Sequence, residues 1–204
     1  MLAPMSEPPA VRRARPQDVP SLAPMLARAF YDDPVATWAF RADSARLRAM
    51  EHFQAIRMRQ LAPGDEIWMS ENGKCAALWA PPGAWKTTVR EDAALMRCFM
   101  HPLLIGRMPL VTAGFLGLEG KHPAAPPHFY LAVLGTDPDS QGQGLGSALM
   151  APVLEQCDRD GVAAFLESSK ERNIAFYARH GFKVVREVTL LRGPPMWQMW
   201  RDPR

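Results

Sequence analysis

The chain has 204 residues, enough for one well-buried domain and short for two. No run approaches the ~18 apolar residues that a membrane span requires, and the N-terminus lacks a positive-then-apolar signal layout. The net charge of +3 is small and dispersed apart from Arg12, Arg13 and Arg15, with no interleaved basic and aromatic platform, so neither a membrane nor a nucleic acid is expected as a partner.

Residues 1–10 are expected to be a flexible segment and 11–204 one domain, with prolines punctuating its joints. Residues 11–15 read as a first strand. Asp18 is placed to cap a helix running to about Ala29, with Leu22, Met25, Leu26 and Ala29 on one face. Phe30–Pro34 breaks that helix, because Asp33 precedes a proline and is biased away from the α conformation. A second helix is expected over Ser44–Leu61, with Leu47, Met50, Phe53, Ile56 and Met58 apolar. Ile67–Ser70 and Cys75–Ala80 flank an Asn-Gly turn and predict a hairpin.

Residues 85–125 are less regular, with helical patches near 88–100 and 108–118, and suit a variable, substrate-shaping segment. Phe129–Leu134 is a strand, Leu145–Arg159 a helix ended by Gly161, and Ala164–Ser168 a parallel-type strand. Pro152 conflicts locally with its helix. Asn173–His180 reads as a short helix closed by Gly181, and strands over 182–190 and 196–201 finish the chain. The alternation predicts an α/β fold with a sheet of mixed direction and helices on both faces.

Three cysteines (Cys75, Cys98 and Cys157) lie far apart with no C-x-x-C spacing, which suits a reducing, cytoplasmic compartment rather than a disulfide framework. The five histidines form no pair at metal-ligand spacing, so no metal is expected.

The densest chemical signal is LAVLGTDPDSQGQGLGSALM, Leu131–Met150. Gly142, Gly144 and Gly146 alternate between a strand and a helix start, where bare N–H groups and the helix dipole favour phosphate. A P-loop is excluded, because no lysine lies between Gly135 and Gly161. The dinucleotide fingerprint fails in both registers, with Ser147 or Leu149 in place of its third glycine. What remains is Q-x-x-G-x-G after a strand, or a tight turn with glycines for packing only. A second segment follows thirty residues on: FLESSKERNIAFYARHGF, Phe165–Phe182, in which Asn173 and Tyr177 are four apart on one helix face.

The two segments, in this order and spacing, resemble the GNAT family of acetyl-CoA-dependent N-acetyltransferases. Within it, DPDSQGQGLGS (137–147), AFLESSKERNIAFYARHGF (164–182) and GPPMWQMW (193–200) are similar to the puromycin N-acetyltransferase group. That likeness covers roughly the C-terminal third, and the group's name does not identify the substrate. The resemblance implies a mostly antiparallel sheet with a splayed parallel strand pair. It implies that the backbone of Gln141, Gly142, Gln143, Gly144, Leu145, Gly146 and Ser147 holds the pyrophosphate of acetyl-CoA. Leu134, Gly135 and Thr136 would bond its pantetheine arm as an added strand and donate an N–H to the acetyl carbonyl. Asn173 would contact the pantetheine or phosphate portion, and Tyr177 would protonate the departing thiolate. A tyrosine suits that role, since its ordinary pKa of ~10 keeps it protonated at neutral pH.

An amine must be neutral to attack, and Glu167, on the strand after the loop helix, is the first candidate base. Tyr31, Asp32 and Asp33 are candidate acceptor contacts, with the two aspartates placed to attract a cationic amine. His52 and His128 are weaker base candidates, and Trp197 and Trp200 either pack the last strand or line an aromatic pocket. The expected activity is acetyl transfer to a small-molecule amine, an antibiotic or other xenobiotic among the candidates, by direct attack in a ternary complex within a monomer or homodimer. Acetylation of a protein or peptide amine, and acyl-CoA binding without turnover, remain as alternatives.

Overall fold

A computed structural model describes residues 9–41 and 44–204, so the flexible segment expected over residues 1–10 lies largely outside the described residues. Seven strands, β1 (Val11–Arg13), β2 (Ile67–Ser70), β3 (Cys75–Ala80), β4 (His128–Thr136), β5 (Ala163–Ser168), β6 (Lys183–Thr189) and β7 (Pro195–Arg201), form one sheet in the order β1-β2-β3-β4-β5-β7-β6. Every neighbouring pair is antiparallel except β4 and β5, which are parallel. The helices are α1 (Val19–Ala29), α2 (Pro34–Phe40), α3 (Arg46–Leu61), α4 (Val89–Met96), α5 (Met108–Glu119), α6 (Leu145–Asp160) and α7 (Ile174–Arg179). This is the expected mixed sheet with a parallel pair and helices on both sides.

The central strand β3 shows why both faces need cover. All six of its residues are buried. Alternation sends Cys75, Ala77 and Trp79 into a core with α6 and α7, and Ala76, Leu78 and Ala80 into a core with α1 and α3. A third apolar cluster joins α2, α3 and α5 to Val188, Leu190 and Met196, and it walls the α1/α3 side of the sheet.

Four local expectations are corrected. Asp18 does not cap α1 with its side chain: the carboxylate accepts two hydrogen bonds from Arg12 at 2.8 Å and one from the Arg15 N–H at 2.7 Å. The break before Pro34 is short, because Asp33 is extended and starts α2, with Pro34 at the first helical position. Its Oδ1 accepts from the N–H groups of Val35 at 2.9 Å and Ala36 at 3.3 Å. Leu47 faces solvent, and the buried stripe of α3 is Arg46, Ala49, Met50, Gln54, Met58 and Leu61. Finally, α6 runs unbroken through Pro152. The ring removes one backbone donor, while Leu149, Met150, Val153, Leu154 and Cys157 bury the helix against the sheet.

One feature of the sheet positions everything functional. The parallel ladder pairs His128–Leu131 with Ala163–Leu166 and then stops. Beyond it, β4 stays paired with β3 through Val133–Thr136, while β5 stays paired with β7 through Ser168. The end of β4 is also drawn onto α1. A Cβ built on Gly135 would lie 2.6 Å from Leu26 Cδ2 and 2.9 Å from Phe30 Cε2, so only glycine allows that approach. Asp137 locks the strand's exit: its N–H donates to the Lys74 carbonyl at 2.8 Å, and its carboxylate accepts from Arg28 at 2.7 Å. Substituting Gly135→Ala overpacks this contact and is expected to lower stability by about 1–3 kcal/mol, read as a lower urea midpoint at unchanged slope.

Candidate active site

Parting of the strands leaves the β5-facing edge of Ala132–Thr136 without a neighbouring strand, so its backbone groups are open to an extended ligand. The chain then turns through Asp137 into the glycine loop. Gly142 and Gly144 have φ near +77° and +78°, a region that side chains rarely adopt, and Gly144 caps α6. Residues 141–144 are exposed, and a Cβ at either Gly142 or Gly144 would meet nothing within 4 Å. The first turn of the 16-residue helix α6 therefore presents its bare N–H groups to open space, with Leu145 buried beneath and Gly146 and Ser147 half-buried. Gly146 lies 3.2 Å, by its absent Cβ, from Phe176 of α7. That contact brings the two motif segments together: Asn173 sits half-buried at the start of α7, and Tyr177 is buried on its inner face.

A cavity of about 320 Å³ opens on the opposite, α1/α3 face of the sheet. Its apolar wall includes Phe30, just after α1, with Phe40, Phe53, Leu95, Met96 and Phe115 drawn from α2 through α5. Segments 30–40 and 85–119 both contribute. Tyr130 and Ala132 form its floor beside the free edge of β4, with Glu167 and Ser169 from β5 and the turn after it. The donor-type site and the cavity thus lie on two faces of one sheet, joined where β4 and β5 part.

Glu167 is held from both sides. Its Oε2 accepts from the Tyr130 hydroxyl at 3.1 Å, and its Oε1 accepts from the Gln198 amide at 3.1 Å, its cross-strand partner on β7. Burial pushes its carboxyl up, against the pull of those two hydrogen bonds. A carboxylate with a raised pKa, facing a cavity, is suited to take a proton.

Two histidines extend the polar side of the cavity. The His128 Nδ1 lies 2.8 Å from the Pro126 carbonyl, which can only accept, so Nδ1 carries the proton. With both rings neutral, its Nε2 accepts from His122 Nε2–H at 3.0 Å, which leaves the His122 Nδ1 as the unprotonated nitrogen. His122 lines the cavity, stacks on Trp85 at 3.7 Å and meets Tyr130 edge-on at 4.8 Å. Burial, with His128 beside it, pushes the His122 imidazolium down to about 3.

The remaining predicted residues separate. Asp33 lines the cavity, buried, with one oxygen capping α2 and the other accepting from the Ser169 hydroxyl. Asp32 and Tyr31 are not among the cavity's lining residues. Asp32 is exposed and pairs with Lys170 at 2.8 Å, while the Arg46 guanidinium stacks over Tyr31 at 5.0 Å. Burial, reinforced by Asp33, raises the Tyr177 pKa, so the phenol keeps its proton. The three cysteines are buried, and burial pushes Cys75 and Cys98 up to about 11 and Cys157 up to about 12, so none supplies a thiolate at neutral pH. His52 is exposed, and Trp200 packs on His128 at 5.1 Å.

Sequence reasoning missed Tyr130, Gln198, His122, Asp137, Gln54 and Arg57. One signal was present for Gln54: it occupies the apolar stripe between Met50 and Met58, where a polar residue is out of place.

An open strand edge and a helix start lie together at the parting of the sheet, with a carboxylate-bearing cavity beside them. The chain belongs to the acetyltransferase (GNAT) family, whose profile matches residues 77–182. It is 24% identical over 215 residues to an uncharacterised N-acetyltransferase of Schizosaccharomyces pombe, covering 95% of this chain and 83% of that one. Among solved structures it resembles one described as histone acetyltransferase HPA2 and related acetyltransferase from Corynebacterium glutamicum, with a TM-score of 0.70, 23% identity, and coverage of 97% and 98% of the two chains. It also resembles arylalkylamine N-acetyltransferase 2 of Aedes aegypti, with a TM-score of 0.61, 12% identity, and coverage of 96% and 99%.

The His122 shift has a definite sign. Its folded pKa of about 3 lies below the unfolded value of ~6.5, so the neutral ring's stabilisation is complete above ~6.5 and is lost as pH falls toward 3. In a proton NMR titration, the His122 ring is expected to show no step near 6.5. In urea titrations, His122→Asn should lose less stability than the parent protein as pH falls from ~6.5 to ~4.

Proposed function

We propose that the chain transfers the acetyl group of acetyl-CoA to the amine of a small molecule by direct attack in a ternary complex. The observation that carries this reading is the cavity of about 320 Å³, walled by segments 30–40 and 85–119 and opening beside the free edge of β4. Its size and apolar lining with few polar groups suit a small acceptor better than a peptide segment. The similarity to the puromycin N-acetyltransferase group in residues 137–147, 164–182 and 193–200 favours the same class, within a single domain over 11–204 in the cytoplasm.

The acetyl donor fits the residues present. The N–H groups of Gln141–Ser147 at the start of α6 would take the pyrophosphate, and the open backbone of Leu134–Thr136 would pair with the pantetheine arm. Glu167 accepts the proton that the amine loses as its nitrogen bonds to the acetyl carbon. A backbone N–H of the β4 edge stabilises the charge on the carbonyl oxygen. As the carbon–sulfur bond breaks, Tyr177 gives its proton to the sulfur, and Asn173 steadies the donor at the start of α7. Asp33, tied to Ser169, shapes the cavity beside Tyr177.

A thiol-release assay with acetyl-CoA against a panel of amines tests this reading. Tyr177→Phe is expected to lower kcat by about 10²-fold with little change in the KM for acetyl-CoA. Glu167→Gln should lower kcat/KM for the amine by about 10²–10⁴-fold. Wild-type turnover in either variant removes that residue from the mechanism. Gly144→Val, forced into a left-handed φ, should raise the KM for acetyl-CoA while leaving the KM for the amine near its parent value.

A further inference from the structure

Among the polar side chains of the cavity that the mechanism does not use, two stand together. Gln54 and Arg57 are three residues apart on α3, so they share a face, and both line the cavity. Gln54 is 5% exposed, and its Oε1 is buried with no hydrogen-bond partner among the described residues. Arg57 donates from Nη1 to the Gln60 side-chain oxygen at 3.1 Å, a neutral partner. Among the described residues no carboxylate forms an ion pair with it. The acidic groups facing it from α4 are otherwise engaged: Glu91 accepts from the Thr88 N–H at 2.7 Å and hydroxyl at 2.8 Å, and Asp92 accepts from the Thr87 hydroxyl at 2.6 Å. Asp33, Asp92, Glu119 and Glu167 also line the cavity, yet none of them forms an ion pair with Arg57, so its planar fork stays open to a ligand carboxylate through two parallel hydrogen bonds.

We propose that the acetyl acceptor is an amine that carries a carboxylate, in its simplest form an amino acid with an apolar side chain, that Arg57 holds that carboxylate, and that the open Gln54 Oε1 accepts a hydrogen bond from an N–H of the same ligand. This assignment deepens the acetyl-transfer reading and rests on it. Location supports the pairing of the two groups on one ligand. Arg57 lies within electrostatic reach of Tyr130, whose hydroxyl donates to Glu167 at 3.1 Å. An anion at Arg57 therefore places an adjacent amine toward the carboxylate that takes its proton. The Arg57 fork would hold the acceptor's carboxylate, and the Gln54 Oε1, which can only accept, would take a hydrogen bond from the acceptor's nitrogen. Phe40, Phe53, Leu95, Met96 and Phe115 would enclose an apolar side chain. A second ammonium at this end, as in a polyamine, would meet the Arg57 charge.

The test compares matched acceptors with the full chain and acetyl-CoA: phenylalanine against 2-phenylethylamine and phenylalaninol, and leucine against 3-methylbutylamine, with a polyamine as control. The amino acids are expected to have a kcat/KM at least about tenfold above their decarboxylated partners, mainly through KM. In Arg57→Met that ratio should collapse toward one, while Arg57→Lys keeps part of it and Gln54→Leu raises the KM for the amino acids severalfold. Melting temperatures check that each variant folds. Calorimetry in the presence of coenzyme A adds a readout without turnover: N-acetylphenylalanine should bind the parent protein more tightly than Arg57→Met. Decarboxylated amines or the polyamine used as well as the amino acids, or N-acetylphenylalanine binding unmoved by Arg57→Met, overturn the carboxylate assignment and leave acetyl transfer standing. No coenzyme A released with any of these amines, or with the wider panel above, overturns both.

Discussion

Beyond the Leu131–Leu166 pair, two sets of contacts draw β4 and β5 toward different partners. β4 is held by β3, by α1 packed against Gly135, and by the Arg28 and Lys74 contacts of Asp137. β5 is held by β7, with Glu167 opposite Gln198. Beyond that pair each strand keeps only its own antiparallel ladder, and the parallel pair opens. A gap in a sheet normally leaves backbone groups that cost free energy unless water or a ligand satisfies them. Here that gap is where an extended ligand can complete the sheet, and the cavity opens beside it. The glycine loop follows directly because β4 ends at the gap and α6 begins beyond it.

The acceptor side obeys a different constraint. Its walls are apolar, so each polar group there is either matched or left waiting. Glu167 is matched on both oxygens, the histidine pair is matched through to the Pro126 carbonyl, and Asp33 is matched as a helix cap. Burial of this kind sets protonation as well as position. It raises the Glu167 carboxyl and lowers the His122 imidazolium, so the two neutral forms gain ground together on one side of the cavity. Tyr177 is shielded in the other core, and keeps its proton for the same physical reason.

Much of this was legible in the chain. The hairpin of β2 and β3, both helical patches of 85–122, and the strand–loop–helix over 128–160 follow from local pattern and turn chemistry, which act within a few residues. Helix α2 was hidden because Asp33-Pro34 marks both a break and a start, and the two are the same signal until the cap is seen. Leu47 was misplaced because α3 carries apolar residues on more than one side, so periodicity alone does not choose the buried face. Tyr31 and Asp32 looked like acceptor contacts for their chemistry, but Arg46 and Lys170, fifteen and 138 residues away along the chain, hold them outside the cavity.

By itself the sequence determined most of the elements and the family, since the glycine loop, a helix start and a tyrosine one turn from an asparagine are patterns among neighbours in the chain. Only the tertiary structure decided which side chains meet at the cavity. Glu167 meets Tyr130 and Gln198, His122 meets Trp85 and His128, and Gln54 and Arg57 face a space bounded by four helices and the sheet. Contacts of that range depend on how faces pack across layers, and no spacing within one segment encodes them.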